Sequence, residues 1–195
     1  MAKVEFHLPN LITIGRLTSV PILLVLMLFL DDSSPDVKFN MTLSVACAIL
    51  FAIAMSTDVL DGYLARKYEK TSVFGKLVDP LADKMLFIAA MIMMIQIGRI
   101  PAWLVTIFFI REVAVTALRG IAANEGVIIS ASNWGKYKAA FGSSATVGLL
   151  LHYPFWGIHW HLIGWLLMIP ALIFSIASGI QYAWRFFREM EAKTA

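Results

Sequence analysis

Residues 58–83, DVLDGYLARKYEKTSVFGKLVDPLAD, decide how this 195-residue chain is interpreted. They carry four aspartates, Asp58, Asp61, Asp79 and Asp83, within a chain that is otherwise largely apolar. The first pair is spaced i, i+3 and the second i, i+4, so each pair is expected on one face of a helix. Carboxylates at membrane depth are costly unless cations lie among them. A donor set of oxygens alone favours a hard divalent cation, Mg²⁺ or Mn²⁺.

The composition predicts an integral membrane protein. Hydrophobic residues make up 59% of the chain, charged residues make up 15%, and the mean hydropathy is +0.77. These values lie outside the usual range of soluble proteins. The single cysteine, Cys47, excludes an intramolecular disulfide and is expected to be a small buried side chain. We predict an all-α polytopic fold that forms a single domain over residues 1–195, with six transmembrane helices after a short N-terminal interfacial segment.

The apolar segments predict where these helices lie and how they are oriented. They suggest spans at about 11–30, 39–67, 78–97, 102–122, 134–151 and 161–187. The first acid pair then ends the second helix and the second pair begins the third, so the pairs should face each other. The positive-inside rule places both termini and the aspartates on the cytoplasmic side of the inner, or cytoplasmic, membrane. Only Lys38 and Arg99 fall on the other side, and Arg16 is expected to extend to the headgroups.

The aspartates belong to a longer pattern, D-x2-D-G-x2-A-R-x8-G-x3-D-x3-D, whose fixed positions are Asp58, Asp61, Gly62, Ala65, Arg66, Gly75, Asp79 and Asp83. This pattern resembles the signature of the CDP-alcohol phosphatidyltransferase family, with every position filled. The alternative is two unrelated acid pairs at helix ends, solvated at the membrane surface. Eight fixed positions make that alternative much the weaker one.

The resemblance implies a reaction and a set of site residues. In this family an alcohol attacks the lipid-side phosphate of a CDP-linked lipid, and CMP leaves. Asp58, Asp61 and Asp79 would bind two divalent cations, Mg²⁺ or Mn²⁺, and Asp83 would be the catalytic base and touch a metal. The CDP-lipid would be bound by the first acid pair, by further motif residues and by two polar residues of the first helix: Asp58, Asp61, Gly62, Ala65, Arg66, Gly75, Asn10 and Thr13. The small residues could instead be helix-packing positions.

A basic set on the fourth and fifth helices indicates a phosphorylated acceptor. It consists of Arg111, Arg119, Lys136 and Lys138, and a neutral alcohol would not need several buried cations. Anchoring at the cytoplasmic interface is the alternative for the two lysines. For Arg111 the alternative is an ion pair with an aspartate or with Glu112, although adjacency in sequence suggests that Glu112 points elsewhere on the helix.

Three further segments extend the resemblance: LPNLITIGRL at 8–17, REVAVTALR at 111–119 and GKYKA at 135–139. They resemble bacterial phosphatidylglycerophosphate synthases, which use glycerol 3-phosphate. The expected substrates are therefore CDP-diacylglycerol and glycerol 3-phosphate, in contact with membrane lipid and without nucleic acid. Members of this family are often dimeric, so the resemblance also implies a homodimer. Other acceptors (inositol phosphate, inositol, serine or phosphatidylglycerol) and a small cation transporter are the alternatives.

Overall fold

The structure is a computed structural model that describes the backbone of residues 8–68, 73–127, 129 and 133–194. Side chains are described for 15–57, 84–127, 129 and 133–193. This part of the chain forms six helices and one small hairpin, namely α1 (Leu8–Leu28), α2 (Val37–Tyr68), α3 (Val73–Gln96), α4 (Ala102–Asn124), α5 (Asn133–Leu151), β1 (Pro154–Phe155), β2 (Ile158–His159) and α6 (Trp160–Thr194).

The helices form a bundle with α3 and α5 in contact near its centre. Helix α1 packs on α2 and α3, α2 packs on α5, α4 packs on α3 and α6, and the most extensive interface joins α5 to α6. Fully buried apolar side chains from every helix build the core, among them Leu23, Phe51, Leu86, Phe108, Leu149 and Met168. The buried Cys47 belongs to this core, as the sequence predicts.

Two glycines allow α5 and α6 to approach closely. A Cβ atom added to Gly148 would lie 2.8 Å from the Cα atom of Gly164, and one added to Gly164 would lie 2.7 Å from the backbone nitrogen of Leu149. Real Cβ atoms do not approach backbone atoms this closely. Glycine at both positions is therefore what brings the two helix backbones into direct contact.

A buried ion pair joins three connections at the end of the bundle away from the aspartate motif. Arg99, which is 3% exposed, follows α3 and bonds the carboxylate of Asp32, which precedes α2. Its guanidinium also donates to the hydroxyl of Ser44 and to the carbonyl of Leu150, at 2.8 and 2.7 Å. Tyr153 donates its hydroxyl proton to the same Asp32 carboxylate at 3.0 Å. Arg99 is thus a buried structural cation that links the helix ends.

The prediction of six helices is confirmed, but several boundaries were wrong. Helix α1 begins at Leu8, so Pro9 lies in its first turn, where the missing N–H is not needed. Helix α3 begins at Val73 instead of about residue 78, and its first turn contains no acid. Asp79 and Asp83 therefore lie within the helix, past its first turn, and not at its N-terminus as the sequence predicted. The hairpin was also missed, and its turn uses positive φ angles at Trp156 and Gly157.

The outer surface of the bundle is strongly apolar. Many large hydrophobic side chains are exposed, including Leu28, Phe29, Trp103, Ile110, Leu166 and Ile180. Among the residues with described side chains, Val37–Thr57 and Trp160–Lys193 are long and apolar enough to cross a membrane, and Gly15–Leu28 and Lys84–Gln96 are shorter apolar stretches. Arg16 does not extend outward as expected, since it is 2% exposed.

Candidate active site

The four aspartates lie on two helices that follow each other directly in the chain. Asp58 and Asp61 belong to the last third of α2, and Asp79 and Asp83 belong to the first half of α3. Their side chains, like those of Gly62, Ala65, Arg66, Gly75, Asn10 and Thr13, lie outside the described residues. Their roles as metal and CDP-lipid ligands therefore stay predictions, and only the helical positions are given.

Those positions put the two acid pairs at similar distances along their helices from the connection between α2 and α3. Asp58 lies 68 − 58 = 10 residues before the end of α2, and Asp83 lies 83 − 73 = 10 residues after the start of α3. At 1.5 Å per residue, each is about 15 Å from the connection between the helices. Asp61 and Asp79 are 7 and 6 residues from the same ends. The helix lengths thus suit a site shared by both pairs.

The donor chemistry of the motif fits a hard divalent cation. It offers carboxylate oxygens and no sulfur or imidazole, which is the donor set that Mg²⁺ and Mn²⁺ prefer. Among the described side chains, no three or more His, Cys, Asp or Glu residues lie close enough together to hold a metal. The aspartate motif stays the metal site that the sequence predicts.

Arg111 connects α4 to α6 and to its own neighbour. Its Nε donates to the carbonyl of Ser175 at 3.3 Å, and its Nη2 donates to the hydroxyl of Ser178 at 2.7 Å. Its Nη1 donates to Oε1 of Glu112 at 2.9 Å. The expectation that Glu112 points elsewhere was wrong, because the long arginine side chain curls back to the adjacent carboxylate. The ion pair that the sequence allowed as an alternative is present.

The other predicted acceptor residues fall into three different environments. Lys138 of α5 bonds the same Oε1 atom of Glu112, and its ammonium group lies 5.6 Å from the centre of the Phe87 ring. Arg119 faces α6, as Arg111 does, with its guanidinium carbon 5.8 Å from the centre of the Tyr182 ring. Lys136 has an exposed side chain near the start of α5. The structure therefore brings Arg111 and Lys138 together at Glu112, with Arg119 two turns further along α4.

A small cavity lies beside Lys138 and Glu112. On α2 and α3 it is lined by residues that flank the aspartate motif in the sequence. Its volume is about 60 Å³, and it is lined by Met55, Lys84, Phe87, Glu112, Lys138, Ala139 and Ser143. Met55 precedes Asp58 by one helical turn, and Lys84 directly follows Asp83. The cavity thus places the basic side chains next to the helical segments that carry the aspartates.

Sequence reasoning missed Lys84 and did not foresee the contacts of Arg16 and Glu112 at this end of the bundle. Arg16 of α1 is buried and donates from Nε to the carbonyl of Ala54, one turn before Asp58. Lys84 reaches across to α4 and donates to the hydroxyl of Thr116 at 2.5 Å. Glu112 is only 9% exposed. The sequence did carry a signal that Arg16 and Glu112 have polar partners. A charge within an apolar helix costs free energy unless a polar partner compensates it.

Comparison with known proteins identifies the family. A family model described as CDP-alcohol phosphatidyltransferase matches residues 6–177, which is most of the chain. The chain belongs to the CDP-alcohol phosphatidyltransferase family. Its members are generally metal-dependent enzymes.

Individual relatives of this phosphatidyltransferase match over nearly their whole length. A CDP-diacylglycerol–glycerol-3-phosphate 3-phosphatidyltransferase of Bacillus subtilis is 40% identical over 91% of this chain and 93% of the relative. A protein with the same description from Haemophilus influenzae is 34% identical over 91% of this chain and 92% of the relative. A probable phosphatidylglycerophosphate synthase of Mycobacterium tuberculosis is 33% identical, covering 94% of this chain and 83% of the relative. This chain is thus an enzyme of the phosphatidyltransferase class.

Proposed function

We propose that this phosphatidyltransferase transfers the phosphatidyl group from CDP-diacylglycerol to sn-glycerol 3-phosphate, giving phosphatidylglycerophosphate and CMP. The observation that carries the proposal is the meeting of Arg111 and Lys138 at Glu112, beside the helices of the aspartate motif. Basic side chains at this position suit an acceptor that brings its own phosphate group. The relatives described by this activity support the same acceptor.

The chemistry is a displacement at phosphorus. The acceptor hydroxyl oxygen forms a bond to the lipid-side phosphorus of CDP-diacylglycerol, and the bond from that phosphorus to the oxygen bridging to CMP breaks. Asp83 accepts the hydroxyl proton, and CMP leaves with the bonding electrons. A carboxylate near cations is a weak base, so the proton transfers only as the new P–O bond forms.

The aspartates are proposed to hold the divalent cations that this chemistry needs. Asp58, Asp61, Asp79 and Asp83 would bind two ions, Mg²⁺ or Mn²⁺. When bound, such ions neutralise the diphosphate and stabilise the charge on the departing phosphate. The aspartates themselves fix where the CDP-lipid diphosphate sits, since they belong to helices that are packed into the bundle.

The CDP-lipid is proposed to bind along the motif face of α2 and α3, against the start of α1. The residues assigned to it are Asp58, Asp61, Gly62, Ala65, Arg66, Gly75, Asn10 and Thr13. The small residues would let the nucleotide approach the helix backbones. Arg66 would contact phosphate.

The acceptor phosphate is proposed to bind on the α4 and α5 side of the aspartates, at Arg111, Arg119, Lys136 and Lys138. Arg111 and Lys138 form its centre because both are directed to one point by Glu112. Arg119 faces the same neighbouring helix, α6, two turns away. Lys136 is exposed and would guide the anion toward the site from solution.

We infer that the enzyme is embedded in the cytoplasmic (inner) membrane, with six spans and the active site on the cytoplasmic side. The apolar outer surface, which exposes side chains such as Leu166 and Ile180, supports contact with lipid. The distribution of lysine and arginine supports the orientation. Residues 1–195 would form one domain. A homodimer is proposed because members of this family are often dimeric.

The proposal is tested by CMP release from the purified protein in detergent, with CDP-diacylglycerol and either Mg²⁺ or Mn²⁺. Parallel reactions contain glycerol 3-phosphate, inositol phosphate, inositol, serine or phosphatidylglycerol. Release with glycerol 3-phosphate alone is expected. Release with a neutral acceptor would contradict the assignment of Arg111 and Lys138. Release with none, from folded protein, would contradict the transferase activity.

Cation transport is the second candidate, because clustered aspartates can also bind a transported ion. A transporter needs its carboxylates near the middle of the membrane, on a path reachable from both sides. The motif instead occupies the segments of α2 and α3 near one shared connection. Conversion of the lipid product back to CDP-lipid by added CMP distinguishes the two functions, since no transporter would catalyse it.

A further inference from the structure

Glu112 holds a central position among the cations of α3, α4 and α5. Its Oε1 atom accepts a hydrogen bond from Nη1 of Arg111 at 2.9 Å and is bonded as well by the ammonium group of Lys138. The residue is 9% exposed, so little water is available to replace these partners. One carboxylate oxygen therefore sets the relative position of two cations that come from different helices.

Lys84 joins this group from the third helix. Its ammonium group donates to the hydroxyl of Thr116, and that hydroxyl donates to the backbone carbonyl of Glu112 at 2.7 Å. Lys84, Glu112 and Lys138 line the same cavity of about 60 Å³. Helix α3, which bears Asp79 and Asp83, is thus linked to α4 and α5 through the backbone and side chain of Glu112.

The charges around Glu112 are unequal. Two cations, Arg111 and Lys138, bond the single carboxylate of Glu112. A phosphate monoester carries about −1.5 to −2 at neutral pH. Cations gathered at one point suit a phosphorylated alcohol, whereas a neutral alcohol would not need them.

We propose that Glu112 is a positioning residue for acceptor binding: it holds Arg111 and Lys138 in the arrangement that receives the acceptor's phosphate. This rests on the proposed function, because it assumes that the acceptor carries a phosphate. Without the carboxylate, the two cations repel each other and lose their common anchor. Arg111 keeps its bonds to Ser175 and Ser178, so Lys138 moves away from it. The acceptor then binds less tightly, whereas the CDP-lipid, assigned to α2 and α3, binds as before.

The test compares Glu112→Gln and Glu112→Asp with Glu125→Gln in the full-length protein in detergent. Glu125 is a matched control: it lies at the end of the same helix and forms an exposed ion pair with Lys193 at 2.9 Å. Glu112→Gln is expected to raise the KM for glycerol 3-phosphate about tenfold or more and to change the KM for CDP-diacylglycerol less than about twofold. Glu112→Asp keeps the charge and should recover part of the loss, while Glu125→Gln should match the wild type.

A binding readout separates positioning from a general structural role. Glycerol 3-phosphate is expected to raise the Tm of the wild type and of Glu125→Gln, but to leave that of Glu112→Gln nearly unchanged. CDP-diacylglycerol with Mg²⁺ should stabilise all three proteins equally. If Glu112→Gln fails to fold, the proposal is tested with Glu112→Asp alone. An unchanged KM for glycerol 3-phosphate in Glu112→Asp would then overturn the proposal.

Three other outcomes are informative. Equal increases in both KM values for Glu112→Gln would mean that Glu112 supports the whole bundle, and the positioning role would be wrong. If the wild type releases no CMP with glycerol 3-phosphate, the proposed function itself fails. Wild-type activity with an unaltered acceptor KM in both Glu112 variants would refute only the inference about Glu112.

Discussion

Arg99 donates two hydrogen bonds to the carboxylate of Asp32, from Nε at 2.7 Å and from Nη2 at 2.8 Å, although 67 residues separate them in the chain. Such a two-point contact fixes both the distance and the orientation of the guanidinium. Burial alone would raise the pKa of Asp32, but the hydrogen bond and the charge of Arg99 outweigh it, so the pKa lies below its usual 3.8.

Asp32→Asn is therefore expected to destabilise the protein in a pH-dependent way. A carboxyl whose pKa is lowered by folding stabilises the fold above its unfolded pKa, and this contribution is lost as the pH falls through the lowered value. At pH 7 the variant should lose about 2 kcal/mol, less than for a fully buried pair because Asp32 keeps part of its surface exposed. Thermal unfolding from pH 7 to pH 3 measures this, and the difference from wild type should shrink below about pH 4.

Asp36→Asn is the control for that experiment. Asp36 lies in the same loop and accepts a hydrogen bond from the backbone N–H of Phe39 at 3.1 Å, a capping role that asparagine can also fill. It should unfold like the wild type at every pH. A difference between Asp32→Asn and wild type that persists unchanged at pH 3 would contradict the assigned role of the carboxylate.

Gly148→Ala and Gly164→Ala are expected to separate α5 from α6. The new Cβ atom would meet backbone atoms at 2.8 or 2.7 Å, and backbone cannot move aside as a flexible side chain can. A loss of about 1–3 kcal/mol is the usual cost of such overpacking. Circular dichroism on heating measures it. Gly120→Ala in α4 is the control: nothing lies within 4 Å of its added Cβ atom, so it should be neutral or stabilising by up to about 1 kcal/mol.

Asp83→Asn is expected to abolish turnover and leave CDP-lipid binding largely intact. The amide cannot accept the hydroxyl proton, and the loss of a general base costs typically about 10²–10⁴-fold in rate. CMP release measures turnover, and the increase in Tm caused by CDP-diacylglycerol with Mg²⁺ measures binding. Near-normal CMP release from Asp83→Asn would remove it from the role of base.

Arg119→Ala is expected to raise the KM for glycerol 3-phosphate by about tenfold, because a charged contact to phosphate is lost. The KM for CDP-diacylglycerol should change far less. Arg188→Ala is a matched control, since Arg188 is exposed and also lies over an aromatic ring, that of Trp184, at 5.4 Å. Initial rates with each substrate varied in turn give the two constants. Equal effects on both would show that Arg119 does not bind the acceptor.

The sequence predicted the helices well because long apolar segments separated by short polar ones leave few alternatives. It failed at the start of α3, because a span expected from about residue 78 left Lys76 in a loop, whereas the helix begins at Val73. Propensity and pattern are weak guides at such a boundary, since most helical stability in proteins comes from tertiary packing. The hairpin was missed because two-residue strands such as Pro154–Phe155 leave no periodic signal.

The sequence proposes the residue types of the candidate site but not their pairings. The motif singles out the aspartates and the basic set singles out Arg111 and Lys138, and the roles of both groups stay predictions. Adjacency in sequence gave the wrong answer for Glu112, because helix geometry fixes where a Cβ atom points but not how a long side chain folds back. Arg16 was misjudged for a related reason: whether a cation near a helix end turns to lipid or to a neighbouring carbonyl depends on the neighbouring helix.

The contacts of Arg111 with Ser175 and Ser178 also set an order of events during synthesis. Helix α6 leaves the ribosome after α1 to α5, so the aspartate motif on α2 and α3 emerges well before it. A nascent chain that has reached α4 already contains every residue of the motif, but not the serines that orient Arg111. The proposed acceptor site would therefore be assembled only after α6 has been synthesised, and a chain terminated before α6 would carry the aspartates without the serines that hold Arg111.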